Sequence, residues 1–197
     1  MMLKKRFVFF ILVLVSCSSS HSRRSAPEET RTSLPPPQTP EHSPSIDTKT
    51  LSFLWPLEGK PRIASFFGWR KKGGRKKGER MHEGIDIGGS LGQKVYASAD
   101  GRVIDVAYVK GYGRTVLVYH GGGWSTLYAH LSKYRTKKGK EVKAGDVLGL
   151  VGHSGHAEAN HLHFEVRKGA DPLDPLLFLP SRELEKYAPK NFVDDSQ

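Results

Sequence analysis

Between residues 51 and 180 the chain is divided into short runs rich in β-branched and aromatic residues, each closed by a glycine-bearing turn. The runs fall at 62–67, 95–97, 102–109, 115–120, 124–130, 146–151 and 162–167. Runs of this length, with turn signals between them, fold as the strands of an all-β sandwich or barrel-like domain. The first stretch compatible with a helical turn or two is 182–187, inside a short C-terminal tail (181–197). The expected domain is therefore 51–180.

What precedes it reads differently. Lys4, Lys5 and Arg6 stand before an apolar run from Phe7 to Val15, which ends at Ser16-Cys17. A basic start and an apolar run of this length are the parts of an export signal. A membrane-crossing helix needs about 20 apolar residues, so the run is too short to span. Leu14-Val15-Ser16-Cys17 resembles a bacterial lipobox, which implies a lipoprotein signal over 1–16, cleavage before Cys17 and lipidation of that residue. Cys17 is the sole cysteine of the chain, and an unpaired cysteine in an exported protein otherwise lacks a role. Residues 17–50 are dominated by Ser, Pro, Thr and charged residues. That composition cannot offset the entropy of ordering, so a disordered, lipid-anchored linker is expected. With Ser18 after the cysteine, a host with two membranes would sort the protein to the outer one, facing the periplasm.

Within 51–180 there are 21 Lys and Arg against 12 Asp and Glu. Such an excess favours an anionic partner: a wall polymer, acidic lipid or nucleic acid. Export excludes nucleic acid. Seven of the basic residues, with three glycines, crowd into the segment from Arg70 to Arg80.

The chemistry is carried by histidines. In the run from His161 to Arg167, residues two apart share one face of a strand. His161 and His163 therefore project together, away from Leu162 and Phe164. Two imidazoles on a rigid strand suit a metal, or a metal with a general base. Upstream, His82 and Asp86 lie four apart, but Gly84, Gly88 and Gly89 with Ile85 and Ile87 argue against a helix. A loop ending at His82 and a strand containing Asp86 is the better reading. His130 closes the run from Trp124. Catalytic zinc takes N and O ligands, usually three, and keeps one position open. Five candidates (His82, Asp86, His130, His161 and His163) suit a catalytic rather than a closed structural site.

His82-x-x-x-Asp86, Tyr128-Ala129-His130-Leu131 and His161-Leu162-His163-Phe164-Glu165 together resemble the three motifs of the lysostaphin/LytM-type zinc endopeptidases, peptidase family M23. Phe67-Gly68-Trp69-Arg70, Gly111-Tyr112-Gly113, Lys143-Ala144-Gly145-Asp146 and Asp174-Pro175-Leu176 are similar as well. The resemblance implies an antiparallel β fold with a substrate groove and one zinc ion on His82, Asp86 and His163. It implies His130 and His161 as the catalytic pair, and cleavage of peptide crosslinks in peptidoglycan. Tyr112, Tyr128 and Asn160 are candidate substrate contacts. The loop 154–160 departs from the family pattern, with Asn160 where proline is common. The alternative is a catalytically silent relative, a lipoprotein that binds and activates a cell-wall amidase during division. Such relatives typically lack one or more of the five residues. Nothing in the sequence suggests more than a monomer.

Overall fold

Alternation sets the architecture. On the strand that begins at His161, Leu162, Phe164 and Val166 are fully buried on one side. His163 and Glu165, on the other side, are buried too, so the strand is covered on both faces and lies inside a sheet. In the computed structural model, residues 30–31, 33, 53–60, 62–71 and 79–180 are described. The signal at 1–16, Cys17, nearly all of the 17–50 linker, the basic stretch 72–78 and the tail 181–197 lie outside the described residues.

The strands are β1 (Thr30–Arg31), β2 (Ile63–Ser65), β3 (Gly68–Lys71), β4 (Glu79–His82) and β5 (Ile85–Gly88). Next come β6 (Lys94–Tyr96), β7 (Gly101–Val109), β8 (Gly113–Gly121) and β9 (Trp124–Leu131). Then follow β10 (Lys133–Tyr134), β11 (Glu141–Val142), β12 (Val147–Leu150), β13 (His161–Lys168) and β14 (Asp171–Leu173), with a 3-10 turn at Pro175–Leu177. No α-helix occurs among the described residues, as the sequence implies.

The main sheet runs β1-β7-β8-β9-β13-β5-β2, with β11 also paired to β7 and β14 to β13. A second sheet has the order β10-β12-β6, and β3-β4 form a separate hairpin. Pairing is antiparallel except between Thr30–Arg31 and Tyr108–Val109 of β7. Two residues of the segment expected to be a disordered linker are thus strand.

One hydrophobic core joins the sheets. Val95 and Leu148 of the small sheet belong to the same buried cluster as Val116, Tyr128, Leu162 and Phe164 of the main sheet. The main sheet's opposite face carries a smaller cluster, Leu117, Leu127 and Ala129, with Tyr112 and Ile104 against it. The second face is the one that bears His163 and Glu165. A fully buried Phe or Leu contributes roughly 1.5–3 kcal/mol through removal from water, so the first face holds the sandwich together and leaves the second free for polar chemistry.

Two sequence expectations change here. His82 ends β4 and not a loop, because Gly68–Lys71 and Glu79–His82 pair as antiparallel strands. Tyr128, expected as a possible substrate contact, is fully buried. Its hydroxyl accepts from the Ser98 backbone N–H at 2.8 Å and from Thr126 Oγ1 at 2.9 Å. It sits one residue out of phase with the polar face and belongs to the core.

Candidate metal centre

His163 and Asp86 are direct cross-strand partners on β13 and β5, so a shared pleat places both side chains on the polar face of the main sheet. His82 enters from the end of β4, outside that sheet. His163 Nδ1 lies 2.8 Å from Asp86 Oδ1, and His82 Nε2 lies 3.1 Å from each of those two atoms. Two imidazole nitrogens and one carboxylate oxygen thus converge within reach of a single ion.

The other ring nitrogens fix the tautomers. His82 Nδ1 donates to the Phe66 carbonyl at 2.7 Å, and His163 Nε2 donates to Glu165 Oε1 at 2.9 Å. Each histidine therefore turns its other ring nitrogen toward the cluster, the arrangement that metal-ligating histidines adopt. Burial opposes charge on Asp86, but His163 and His82 hold its carboxyl far below the usual range. Burial likewise opposes protonation of His163, and the Asp86 and Glu165 carboxylates outweigh it, raising the pKa to about 9. The field at Nδ1 favours a cation.

His161 and His130 stand beside this group. His161 shares the face of His163 on β13, and its Nε2 is 3.7 Å from Asp86 Oδ1. Its Nδ1 donates to the Ala159 carbonyl at 2.9 Å. His130 arrives by a different route. Ala129 is on the polar face, so strict alternation would turn His130 into the core. Between Arg114/Leu131 and Val116/Tyr128 the register slips, with one extra residue on β9. His130 adopts φ 59° at this bulge, the only positive φ outside glycine among the described residues. A bulge re-aims a side chain in this way. The His130 ring comes to 4.7 Å from His161 and 5.8 Å from His163, centroid to centroid. Its Nδ1 donates to the Ser154 carbonyl at 2.7 Å. Burial pulls its pKa down to about 4, which keeps the ring neutral at pH 7.

Ser154 belongs to the loop 152–160, which is docked on the 111–114 turn. Ser154 Oγ accepts from Arg114 N–H and donates to the Leu131 carbonyl, while His156 N–H donates to the Gly111 carbonyl. Gly113, at φ 69°, leaves no space for a side chain there, since a Cβ would lie 2.4 Å from Ser154. Of the other candidate contacts, Tyr112 packs its ring 5.4 Å from that of His163 and donates to Glu83 Oε2. Asn160 is exposed, and its Oδ1 accepts from His153 Nδ1.

Three residues of the site, Glu165, Arg167 and Glu83, are given no role by the sequence reading. Glu165 is fully buried, and its Oε2 accepts from Arg167 Nε at 2.5 Å. Arg167 Nη2 pairs in turn with Glu83. Burial alone would push the Glu165 carboxyl up, but His163 and Arg167 keep it ionised. The signal was in the strand period: His161, His163, Glu165 and Arg167 are successive residues on one face.

Residues 80–175 match the family described as peptidase family M23. The chain is 39% identical over 119 residues to the DD-carboxypeptidase/endopeptidase Mpg of Neisseria meningitidis serogroup B, a match covering 60% of this chain and 27% of that protein. It is 36% identical over 136 residues to the murein hydrolase activator NlpD of Escherichia coli, covering 68% of this chain and 33% of that protein. Among solved structures, it resembles a zinc containing peptidase from Vibrio cholerae with a TM-score of 0.59 and 33% identity. That likeness covers 62% of this chain and 39% of the other. The chain thus spans a quarter to a third of the length of its curated relatives. With the three motifs converging on one face of an antiparallel β fold and the profile match spanning them, the chain belongs to peptidase family M23.

Proposed function

We propose that the protein is a zinc-dependent endopeptidase acting on peptide crosslinks of peptidoglycan. The observation that supports this most is the convergence of His82 Nε2, Asp86 Oδ1 and His163 Nδ1, flanked by two further imidazoles, His130 and His161, each held to a backbone carbonyl through Nδ1. The donor set fits zinc: two imidazole nitrogens, one carboxylate, and histidines oriented by carbonyl or carboxylate acceptors. His82, Asp86 and His163 would hold the ion. When bound, zinc supplies a Lewis acid that polarises a carbonyl at neutral pH.

The chain's own residues do the rest. His130, neutral at pH 7 and held through Nδ1, presents Nε2 as a base. His161, held in the same way by the Ala159 carbonyl, offers a second Nε2 next to it. Between them they take a proton from the attacking water and return one to the leaving amine. Positioned acid–base groups of this kind contribute typically 10²–10⁴-fold. The loop 152–160 keeps His130 in place through Ser154, so groove wall and base are one unit.

The test is digestion of purified, crosslinked peptidoglycan with zinc measured in parallel. We expect new monomeric muropeptides from the wild type. His161→Ala is expected to keep stoichiometric zinc and lose turnover by about 10²–10⁴-fold, whereas His163→Ala loses the metal. Full turnover in His161→Ala would overturn the role given to it. The likeness to NlpD supports a second reading, an activator of a wall amidase. Bound zinc without cleavage of any wall type, together with stimulation of an added amidase, would establish that reading instead. In either case Cys17 would carry the lipid anchor and place the domain in the cell envelope, reaching the wall as a monomer.

A further inference from the structure

The β3-β4 hairpin carries more than His82. Its register pairs Gly68 with His82, Trp69 with Met81, and Arg70 with Arg80. Cross-strand partners share a face, and faces alternate along each strand. Arg70 and Arg80 therefore lie on the face of His82, and Trp69 and Met81 on the other. Arg70 confirms this placement directly, because its Nη2 reaches to 3.6 Å from Asp86 Oδ2.

Asp86 is divided between two tasks. Oδ1 faces His82 and His163, while Oδ2 is the oxygen turned to Arg70. Arg70 Nη2 also approaches the Phe66 carbonyl at 3.4 Å. Both contacts are long, and both use the same terminal nitrogen. The side chain is 42% exposed, so the guanidinium is anchored at one corner and open at the edge of the metal centre. Opposite it stands Arg80, also exposed. Like charges placed directly opposite in a β ladder are unfavourable, and an anion between them relieves the repulsion. A planar guanidinium with two parallel donors fits a carboxylate better than any other side chain does.

We propose that Arg70, with Arg80 across the hairpin, forms a carboxylate-binding subsite. It selects peptides that carry a free carboxylate beside the bond lying over the metal centre. The inference rests on the peptidase reading for its consequence in turnover, but not for its consequence in binding. It also assigns a use to part of the basic segment. The two arginines act at the groove, on the same hairpin that delivers a metal ligand.

The experiment uses the full chain and a pair of crosslinked muropeptide dimers, identical except that the stem carboxylates are free in one and amidated in the other. Both binding and kcat/KM are measured for wild type, Arg70→Gln, Arg70→Lys and Arg80→Gln, with zinc content as a control. The expected result is a preference of about ten- to hundredfold for the free acid in the wild type, the effect of a charge-assisted hydrogen bond. Arg70→Gln should abolish that preference by raising KM for the free acid well above any change on the amidated dimer, while zinc stays stoichiometric. Arg70→Lys and Arg80→Gln should each keep part of it. Equal treatment of the two dimers by the wild type would overturn the proposal. So would an equal loss on both dimers in Arg70→Gln, which would reduce Arg70 to a support for Asp86. If the wild type binds the acid selectively and cuts neither dimer, the peptidase reading fails and the subsite stands.

Discussion

Replacing Arg167 with methionine tests the buried network behind the metal centre. Glu165 is wholly inaccessible to solvent; its charged partners are His163 Nε2 at 2.9 Å and Arg167 Nε at 2.5 Å, and the Tyr112 hydroxyl also lies against it. The Arg167 side chain is 13% exposed and also pairs with Glu83. Methionine retains the apolar stem but takes from a buried carboxylate its guanidinium partner, leaving His163 and the Tyr112 hydroxyl. Breaking a buried ion pair by removing one partner costs about 3–5 kcal/mol. For a domain of this size that corresponds to a fall in Tm of roughly 10–20 °C. The assay is urea unfolding at pH 7, with chelator present so that metal binding does not add to stability. Adding Glu165→Gln to Arg167→Met removes the stranded charge while leaving an oxygen to accept from His163. The double variant should recover about half of the loss or more, since a neutral buried pair avoids most of the desolvation penalty.

The pH dependence gives an independent check with opposite signs. In the wild type the folded-state pKa of Glu165 lies below its ordinary 4.5, so its contribution is present above 4.5 and is lost as pH falls through the folded value. In Arg167→Met, burial without the guanidinium raises the folded pKa. That variant's deficit should therefore shrink as pH falls toward 4.5 and grow as pH rises. A loss below about 1 kcal/mol for Arg167→Met, typical of an exposed pair, or no recovery in the double variant, would refute the account of this network.

Two further outcomes follow from buried groups on the core side. His120 is 1% exposed, its Nδ1 donates to the Asp100 carbonyl and its Nε2 meets Thr126 Oγ1; burial lowers its pKa to about 4. Its contribution to stability is complete above pH 6.5 and is lost as pH falls to about 4, by up to roughly 3 kcal/mol; urea midpoints between pH 7 and 4 should show a shallower decline in His120→Gln. Tyr128→Phe should cost about 1–3 kcal/mol, because the Ser98 N–H and Thr126 hydroxyl lose a buried acceptor, with peptidoglycan cleavage unchanged. Lower turnover at undiminished stability would return Tyr128 to the substrate groove.

The sequence made the strands legible wherever alternation ran for seven residues or more, as in β7, β9 and β13. It made Asp86 legible as a strand residue because Ile85 and Ile87 bracket it. It did not show the β3-β4 hairpin. There, each arm carries a single apolar residue, Trp69 in one and Met81 in the other, too few to give a period. Nor did it show that β9 bulges at Ala129-His130, since a bulge changes no residue type and only shifts phase. That one shift explains the two histidine-motif outcomes together. Counting by twos assigns Tyr128 and His130 to a common face, and the extra residue separates them, sending the tyrosine into the core and the histidine to the metal centre. The burial of His120 is illegible for a related reason: its partners, the Asp100 carbonyl and Thr126, are brought to it by tertiary contacts that no local pattern encodes.

The site's supports are unequal in kind, and this bears on where specificity resides. Asp86 and His163 are ladder partners in the interior of the main sheet, between strands that are themselves paired on their far sides. Their separation is fixed by backbone hydrogen bonding, and Glu165, Arg167 and Glu83 lock the ring of His163 from behind. His130 depends on a bulge and on one loop carbonyl. His82 depends on a two-stranded hairpin and on the carbonyl of Phe66. A substitution in β5 or β13 therefore acts first on the Asp86–His163 pair, while a change in the hairpin acts on His82 and on Arg70 at the same time. On the function proposed above, the chemistry thus rests on the sheet and the discrimination on the hairpin and loop that border it.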